Sequence, residues 1–331
     1  MLRVRTTPPR PADVTAIVPR LAPLARTATR LHPRPGKPSP HDSSVGGPLL
    51  WPADEPWPHC DGPHEWDGVN DPVTPEGERQ WRLHRAAGGE KADAPWPEGP
   101  VPLLPVAQLY VRDVPLLRPP GQAAADVLQV LWCPFDHPAE PRTTLFWRSA
   151  AEVADILDAP PEPPVIQFSG YLPEPCLLAP EEVTEYPHLM ELDRELQRQL
   201  EDRKRWQAAG VVPDSSDAPY EKDFYRESYR GGLSLAPGWK AGGWTRWGLT
   251  DPMPRLCSTC GTGMDPLLTI SSSEGDADEE SWIPAEERAR ALTATGSELT
   301  NPTMLSLARG YDLQLYACPA SPDHPHLQLV Q

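Results

Sequence analysis

Apolar and polar positions follow one another in short runs along most of this chain, and only one stretch keeps a helical period. Residues 101–111 (Val-Pro-Leu-Leu-Pro-Val-Ala-Gln-Leu-Tyr-Val) read as a buried strand whose prolines suggest an edge or a bulge. Residues 126–133, 145–147, 165–171 and 264–270 predict further strands, and Leu313-Gln314-Leu315-Tyr316-Ala317 a last one. Leu189, Leu192, Leu196 and Leu200 recur at spacings of three and four, which predicts one long helix within residues 181–209 with a core-facing stripe. Short helices are expected over 13–26, capped by Asp13 or Thr15, and over 150–158. Residues 61–99, 210–235 and 274–288 read as polar or acidic loops.

One phrase occurs twice. Leu128-Gln129 leads through Cys133-Pro134 to Asp136-His137-Pro138, and Leu313-Gln314 leads through Cys318-Pro319 to Asp323-His324-Pro325. Other pairs keep the same order: Gly46-Gly47 with Gly242-Gly243, Trp51 with Trp247, Cys60 with Cys257, and Pro102-Leu103-Leu104 with Pro266-Leu267-Leu268. The period is too long for a solenoid. The predicted fold is therefore α+β, with two related, mainly β halves about a pseudo-twofold axis and one long helix between them. The proline cluster at 160–164 is the expected boundary. Residues 1–27 form a basic arm and short helix, 28–160 the first half and 161–331 the second, both within one compact domain.

Composition sharpens this. The 46 prolines enforce short strands and rigid loops. Trp51, Trp57 and Trp96 each precede proline, which predicts extended loops pinned by an indole. The 30 basic residues against 47 acidic ones leave a net charge of −17, which opposes nucleic acid and anionic membranes as partners. Residues 1–40 run the other way, with a net charge of +7, so the remainder carries −24. The arm either touches the acidic body or an acidic partner, or is solvated, and the solvated reading, with residues 1–10 disordered, is preferred. No apolar run approaches the roughly 20 residues of a membrane span, and no secretory signal is evident. The expected location is the cytoplasm, with the six cysteines reduced.

The chemistry lies in cysteine and histidine. Cys257-Ser258-Thr259-Cys260-Gly261 has the form of a zinc knuckle. Cys318 and His324 complete a Cys3His set, with His326 competing for the fourth place. Free thiols and thiol redox chemistry are the alternatives, and Gly261, Gly263 and Pro266 argue against the helix that a redox motif expects at its second cysteine. Cys60, His64, Cys133 and His137 make a second, weaker set. Four protein ligands leave no open position, so such zinc is structural. Cys176 reads as core. The glycine pairs lack a phosphate-binding pattern and suggest a bulge or close backbone approach, and the acidic run 274–280 lacks the full ligand pattern of a calcium loop. No nucleophile motif is present.

The Ser-Val-Gly-Gly-x-x-x-Trp-Pro start at Ser44, the Pro-Leu-Leu strand at Pro102, the second Gly-Gly-Trp-x-x-Trp at Gly242 and the late Pro-Leu-Leu-x-Ile strand at Pro266 resemble the YwqG-like proteins, a bacterial domain family of unknown function. The resemblance covers roughly residues 28–330. It implies a mixed α+β fold with duplicated halves and an immunity or interaction role, with a toxin encoded nearby as partner. It carries over no catalytic residues. The Cys-x-x-Cys and Cys-Pro…His elements depart from the family pattern and suggest a metal-binding branch. The expected function is thus a non-catalytic protein-binding or immunity-type protein. The alternative is a metal-dependent hydrolase with a site between the halves, for which Asp136 and Asp323 are the candidate bases or supports of a ligating imidazole.

Overall fold

Strand pairing organises the chain. The structure, a computed structural model, describes residues 4–64, 72–84, 95–122, 124–137, 140–211, 225, 228–275, 281–291 and 300–331. Its strands are β1 (Arg26–Arg30), β2 (Arg34–Pro35), β3 (Ser44–Val45), β4 (His59–Cys60), β5 (Val101–Pro102), β6 (Leu104–Tyr110) and β7 (Val127–Asp136). There follow β8 (Pro141–Arg148), β9 (Cys176–Leu177), β10 (Glu181–Glu185), β11 (Lys240–Gly242), β12 (Asp265–Ile270), β13 (Leu313–Ala317) and β14 (Leu327–Val330). Sheet I has the order β10-β1-β11-β12-β13-β14, sheet II the order β2-β9-β3-β6-β7-β8, and β4 pairs with β5. Every pairing is antiparallel. The fold is mixed and mostly sheet.

Both sheets feed one apolar cluster. Val106, Leu128, Val130 and Trp132 of sheet II share it with Ala241, Leu268, Ile270, Leu313 and Leu315 of sheet I. Proline acts as expected, since β6 and β12 both carry a bulge beside theirs, at Pro105 and Pro266. The sheets do not divide at residues 160–164. β1 lies between β10 and β11 of sheet I, and β9 crosses into sheet II.

The run β3, β6, β7, β8 occupies consecutive places in sheet II, as β11, β12, β13, β14 do in sheet I. A buried glutamine clamp accompanies each run. Leu50 N–H donates to Gln108 Oε1 (2.7 Å), and Gln129 Nε2 donates to Leu50 O (2.8 Å). In sheet I Gln314 serves both groups, accepting from Arg246 N–H (3.1 Å) and donating to Arg246 O (2.7 Å). Leu50 and Arg246 stand four residues beyond the first glycine of each Gly-Gly pair.

Several expectations need correction. The long helix is two short ones, α3 (Arg194–Leu200) and α4 (Arg203–Ala208), preceded by strand β10 and a 3-10 turn at Leu189–Glu191. The break has a local cause. A continuing helix would join Lys204 N–H to Leu200 O. Instead the Asp202 carboxylate takes that N–H (3.0 Å), and the Trp206 indole takes that carbonyl (2.7 Å). The leucine stripe survives the break: all four leucines pack with Val14, Ile17 and Leu21 of the N-terminal segment. That segment is one α-turn, α1 (Val14–Ile17), and a 3-10 turn through Leu24, because Pro19 and Pro23 stop it.

Residues 165–171 are not a strand. Ile166 exchanges hydrogen bonds with Val73 alone, and Ser169–Tyr171 is a 3-10 turn. Of the helix over 150–158 only the turn Ala150–Glu152 forms. The loop over 61–99 contains α2 (Pro75–His84), which is tied down by Arg82: its guanidinium pairs with buried Glu78 and donates to Ser169 O and Leu172 O (both 2.9 Å). Tyr220 and residues 276–280 of the acidic run lie outside the described residues.

The arm is docked, contrary to the preferred reading. Arg5 Nε donates to Glu287 (2.7 Å), Thr7 N–H to Glu181 (2.7 Å), and Arg10 lies over the Trp282 ring. Arg34 pairs with the same Glu287, so the basic segment is matched to carboxylates of the body. No described Trp is exposed, and the indoles of Trp51, Trp57 and Trp96 each donate to a backbone carbonyl. No helix of the described residues is long and apolar enough to cross a membrane.

Candidate metal centres

Antiparallel pairing decides which cysteines meet. The segment ahead of β12 folds as a knuckle: Leu256 bridges Gly263, Cys257 N–H donates to Thr262 O (2.9 Å), and Gly261 N–H donates to Cys257 O (2.8 Å). Gly261 turns with φ +70°, in the left-handed region that glycine enters without strain. Asp265 at the start of β12 lies opposite Ala317 at the end of β13. The knuckle and Cys318, the next residue, therefore share one edge. The β13–β14 connection then returns His324.

A second gathering of cysteine and histidine lies at the edge of sheet II. Leu104 of β6 lies opposite Trp132 of β7, so Cys133 falls beside Leu103, whose N–H reaches Pro58 O (3.0 Å). Cys60 pairs with Val101 in the β4–β5 ladder. His137 opens the β7–β8 turn, its N–H donating to Glu140 O (2.9 Å). His64 rests on Phe135 at 4.9 Å between ring centroids, and Trp96 holds it by a bond to its carbonyl (3.2 Å).

The result is two groups that could hold a metal ion: Cys257, Cys260, Cys318 and His324, and Cys60, His64, Cys133 and His137, the ligand atoms of each lying within 4.8 Å of one another. In the first, Cys257 Sγ lies 3.5 Å and Cys318 Sγ 3.3 Å from His324 Nδ1, and Cys260 Sγ lies 3.5 Å from Cys318 Sγ. In the second, Cys60 Sγ is 3.4 Å from His137 Nε2, and Cys133 Sγ 3.3 Å from His64 Nε2. A tetrahedral ion with bonds of about 2.0–2.3 Å sets its ligands about 3.3–3.8 Å apart. The sulfurs stand well beyond a disulfide bond of about 2.05 Å, and all six cysteines are free thiols.

Electrostatics differ between the groups. Burial pushes the Cys133 and Cys318 thiols up, because a lone thiolate is costly away from water. Hydrogen bonding to Thr262, through its side chain and then its backbone, holds exposed Cys260 down to about 6. Burial, then the Arg142 charge, lowers His64 and brings His137 to about 4. Neutral imidazole is the ligating form, and a cation would favour the thiolates.

The structure also separates residues that spacing leaves ambiguous. His326 does not join the group and bonds Thr143 Oγ1 through Nε2 (2.7 Å). Cys176 is buried in the main core, its thiol donating to Pro302 O (3.4 Å). Asp136 accepts from the Tyr171 hydroxyl and Gln167 Nε2, and Asp323 from Gln122 (3.1 Å), so these bonds aim neither carboxylate at a ligand histidine. Sequence reasoning missed the clamp role of Gln129 and Gln314. Its signal was the Leu-Gln shared by both copies of the repeated phrase. No known protein-family model matches this chain, and no curated protein matches it.

Proposed function

We propose that this is a non-catalytic binding protein with two structural zinc ions, one in each of two duplicated halves. The observation that carries the reading is that each group gathers four ligand atoms within 4.8 Å of one another, with sulfur–nitrogen and sulfur–sulfur pairs at 3.3–3.5 Å that suit a tetrahedral ion. A closed set of thiolates and imidazoles suits zinc and leaves no position for a reacting water. Duplication with a pseudo-twofold relation is supported by the matched strand runs and by the two glutamine clamps. Each ion would tie the end of a central strand to the segment that enters the neighbouring strand.

The charge of −17 supports a basic protein partner, drawn in by electrostatic steering. The resemblance to YwqG-like proteins supports an immunity-type role, with a toxin encoded nearby as that partner and the cytoplasm as its place of action. A metal-dependent hydrolase is the second reading. It is favoured by a cleft of about 720 Å³ that Cys318, Asp323 and His324 help to line. It requires an ion that keeps an open coordination position.

Metal analysis of the purified protein tests the proposal. About two zinc ions per chain are expected, falling to about one in Cys257→Ser and in Cys133→Ser. A metal-free wild type sinks the zinc reading. An exchangeable water on the bound ion would move the balance to the hydrolase.

A further inference from the structure

The two groups share a plan but differ in ligand set and in access to solvent. Cys60, Cys133, Cys257 and Cys318 are 7 % exposed or less, whereas Cys260 is open at the tip of the knuckle. Its Sγ lies 3.5 Å from that of Cys318. An exposed sulfur with a second thiol beside it is the arrangement of a sensor cysteine and its resolving partner. The knuckle is fixed at its base by Leu256–Gly263 and by Met264 N–H to Arg255 O (2.8 Å). Closing the two sulfurs to disulfide length needs about 1.5 Å of movement, within reach of side-chain rotation.

We propose that Cys260 and Cys318 form a peroxide-sensitive thiol pair, whereas Cys60 and Cys133 in the matching group are shielded. The Cys260 thiolate attacks hydrogen peroxide. An S–O bond forms, the O–O bond breaks, and the departing hydroxide takes a proton to leave as water. The Cys318 thiolate then attacks the sulfenic sulfur, the S–S bond forms, and the second oxygen leaves as water after taking a proton. Two thiolates lose two electrons in all, and the peroxide gains them. The thiol pair stands on its own geometry. Only the accompanying release of an ion rests on the zinc reading, because the disulfide withdraws two of the four ligands. That release unties loop 318–326 from the knuckle, and this loop walls the cleft it shares with Leu116, Thr143 and Trp147.

The test treats the purified full chain with one equivalent of hydrogen peroxide. Remaining thiols are alkylated under denaturing conditions, and disulfides are mapped by mass spectrometry. A Cys260–Cys318 disulfide is expected, with Cys60, Cys133, Cys176 and Cys257 alkylated. A disulfide through Cys257 or between Cys60 and Cys133, or full alkylation, overturns the proposal. In Cys318→Ser, Cys260 should persist as a sulfenic acid that a cyclic dione traps, and absence of the adduct also overturns it. A metallochromic indicator read in parallel should record one of two bound ions released. A metal-free protein that still forms the Cys260–Cys318 bond upholds the thiol pair and overturns the zinc reading, so the two failures are distinct.

Discussion

Gln314 is 3 % exposed and spends its amide on both backbone groups of Arg246, while the Tyr316 hydroxyl also reaches its oxygen (3.3 Å). Removing the amide strips both backbone groups of half-buried Arg246 of this partner. Gln314→Leu is expected to cost about 2–4 kcal/mol, the scale of two lost buried hydrogen bonds. Urea unfolding checks this, and a change below about 0.5 kcal/mol would show the clamp to be dispensable. The glycine beside it is similarly constrained. Gly243 sits at φ +77°, and a Cβ there would collide with the Glu185 carboxylate and stand 2.8 Å from Ala28 Cβ. Buried Glu185 itself accepts from Lys240 Nζ (2.6 Å) and from the N–H groups of Ala236 and Trp244 (both 2.8 Å). At this scale the cysteines and histidines were legible because metal ligation restricts residue type and spacing. The glutamine was visible only as a repeated letter, since nothing near it in sequence names its partner.

Residues 181–208 show how an element can be misread while its packing is read correctly. The leucine period was sound, and the leucines are core, but caps override periodicity. His188 ends the β10 connection and opens the following turn, its Nδ1 accepting the Met190 N–H (3.3 Å). Burial, then the charges of Arg230 and Arg246, lowers this imidazole to about 4 from an ordinary 6.5. Between those values the unfolded chain holds the proton and the folded chain does not. Stability is therefore present above about pH 6.5 and is lost as pH falls towards 4, with a slope of up to about 1.4 kcal/mol per pH unit for one proton. Buried His32, also lowered to about 4, chiefly by burial, adds a parallel loss. His188→Asn replaces the capping Nδ1 by an amide oxygen and removes the titration, so its stability should fall less between pH 7 and pH 5 than that of the wild type. Equal losses in urea midpoint for the two proteins would refute the assignment.

For the whole molecule, the charge imbalance between the first 40 residues and the rest is an internal contact. Arg5 and Arg34 share Glu287, and Arg30 Nη1 reaches Thr7 Oγ1 and Trp282 O (both 2.9 Å). Deleting residues 1–10 uncovers Trp282, now 1 % exposed, takes one of its two arginines from Glu287 and removes the Thr7 bonds to Glu181. The expected cost is about 3 kcal/mol or more, on the scale of breaking a buried ion pair. A red shift of indole emission and a lower thermal midpoint should accompany it. Unchanged emission and midpoint would mean that the arm is not part of the folded body.

The central strands, the repeated motif order, the proline-cut loops and the cysteines of both Cys/His sets are legible in the sequence alone. These follow from local patterning, residue chemistry and spacing, which do not depend on distant partners. The fold settles what local pattern does not: that β1 joins sheet I and β9 sheet II, that the helix stops at Leu200, that His324 and not His326 joins the knuckle, and that Cys260 alone of the grouped cysteines meets solvent. Each depends on which backbone groups and side chains arrive from far along the chain. The same antiparallel register that sets Asp265 opposite Ala317 carries the Cys257 knuckle to Cys318, and no local pattern encodes that encounter.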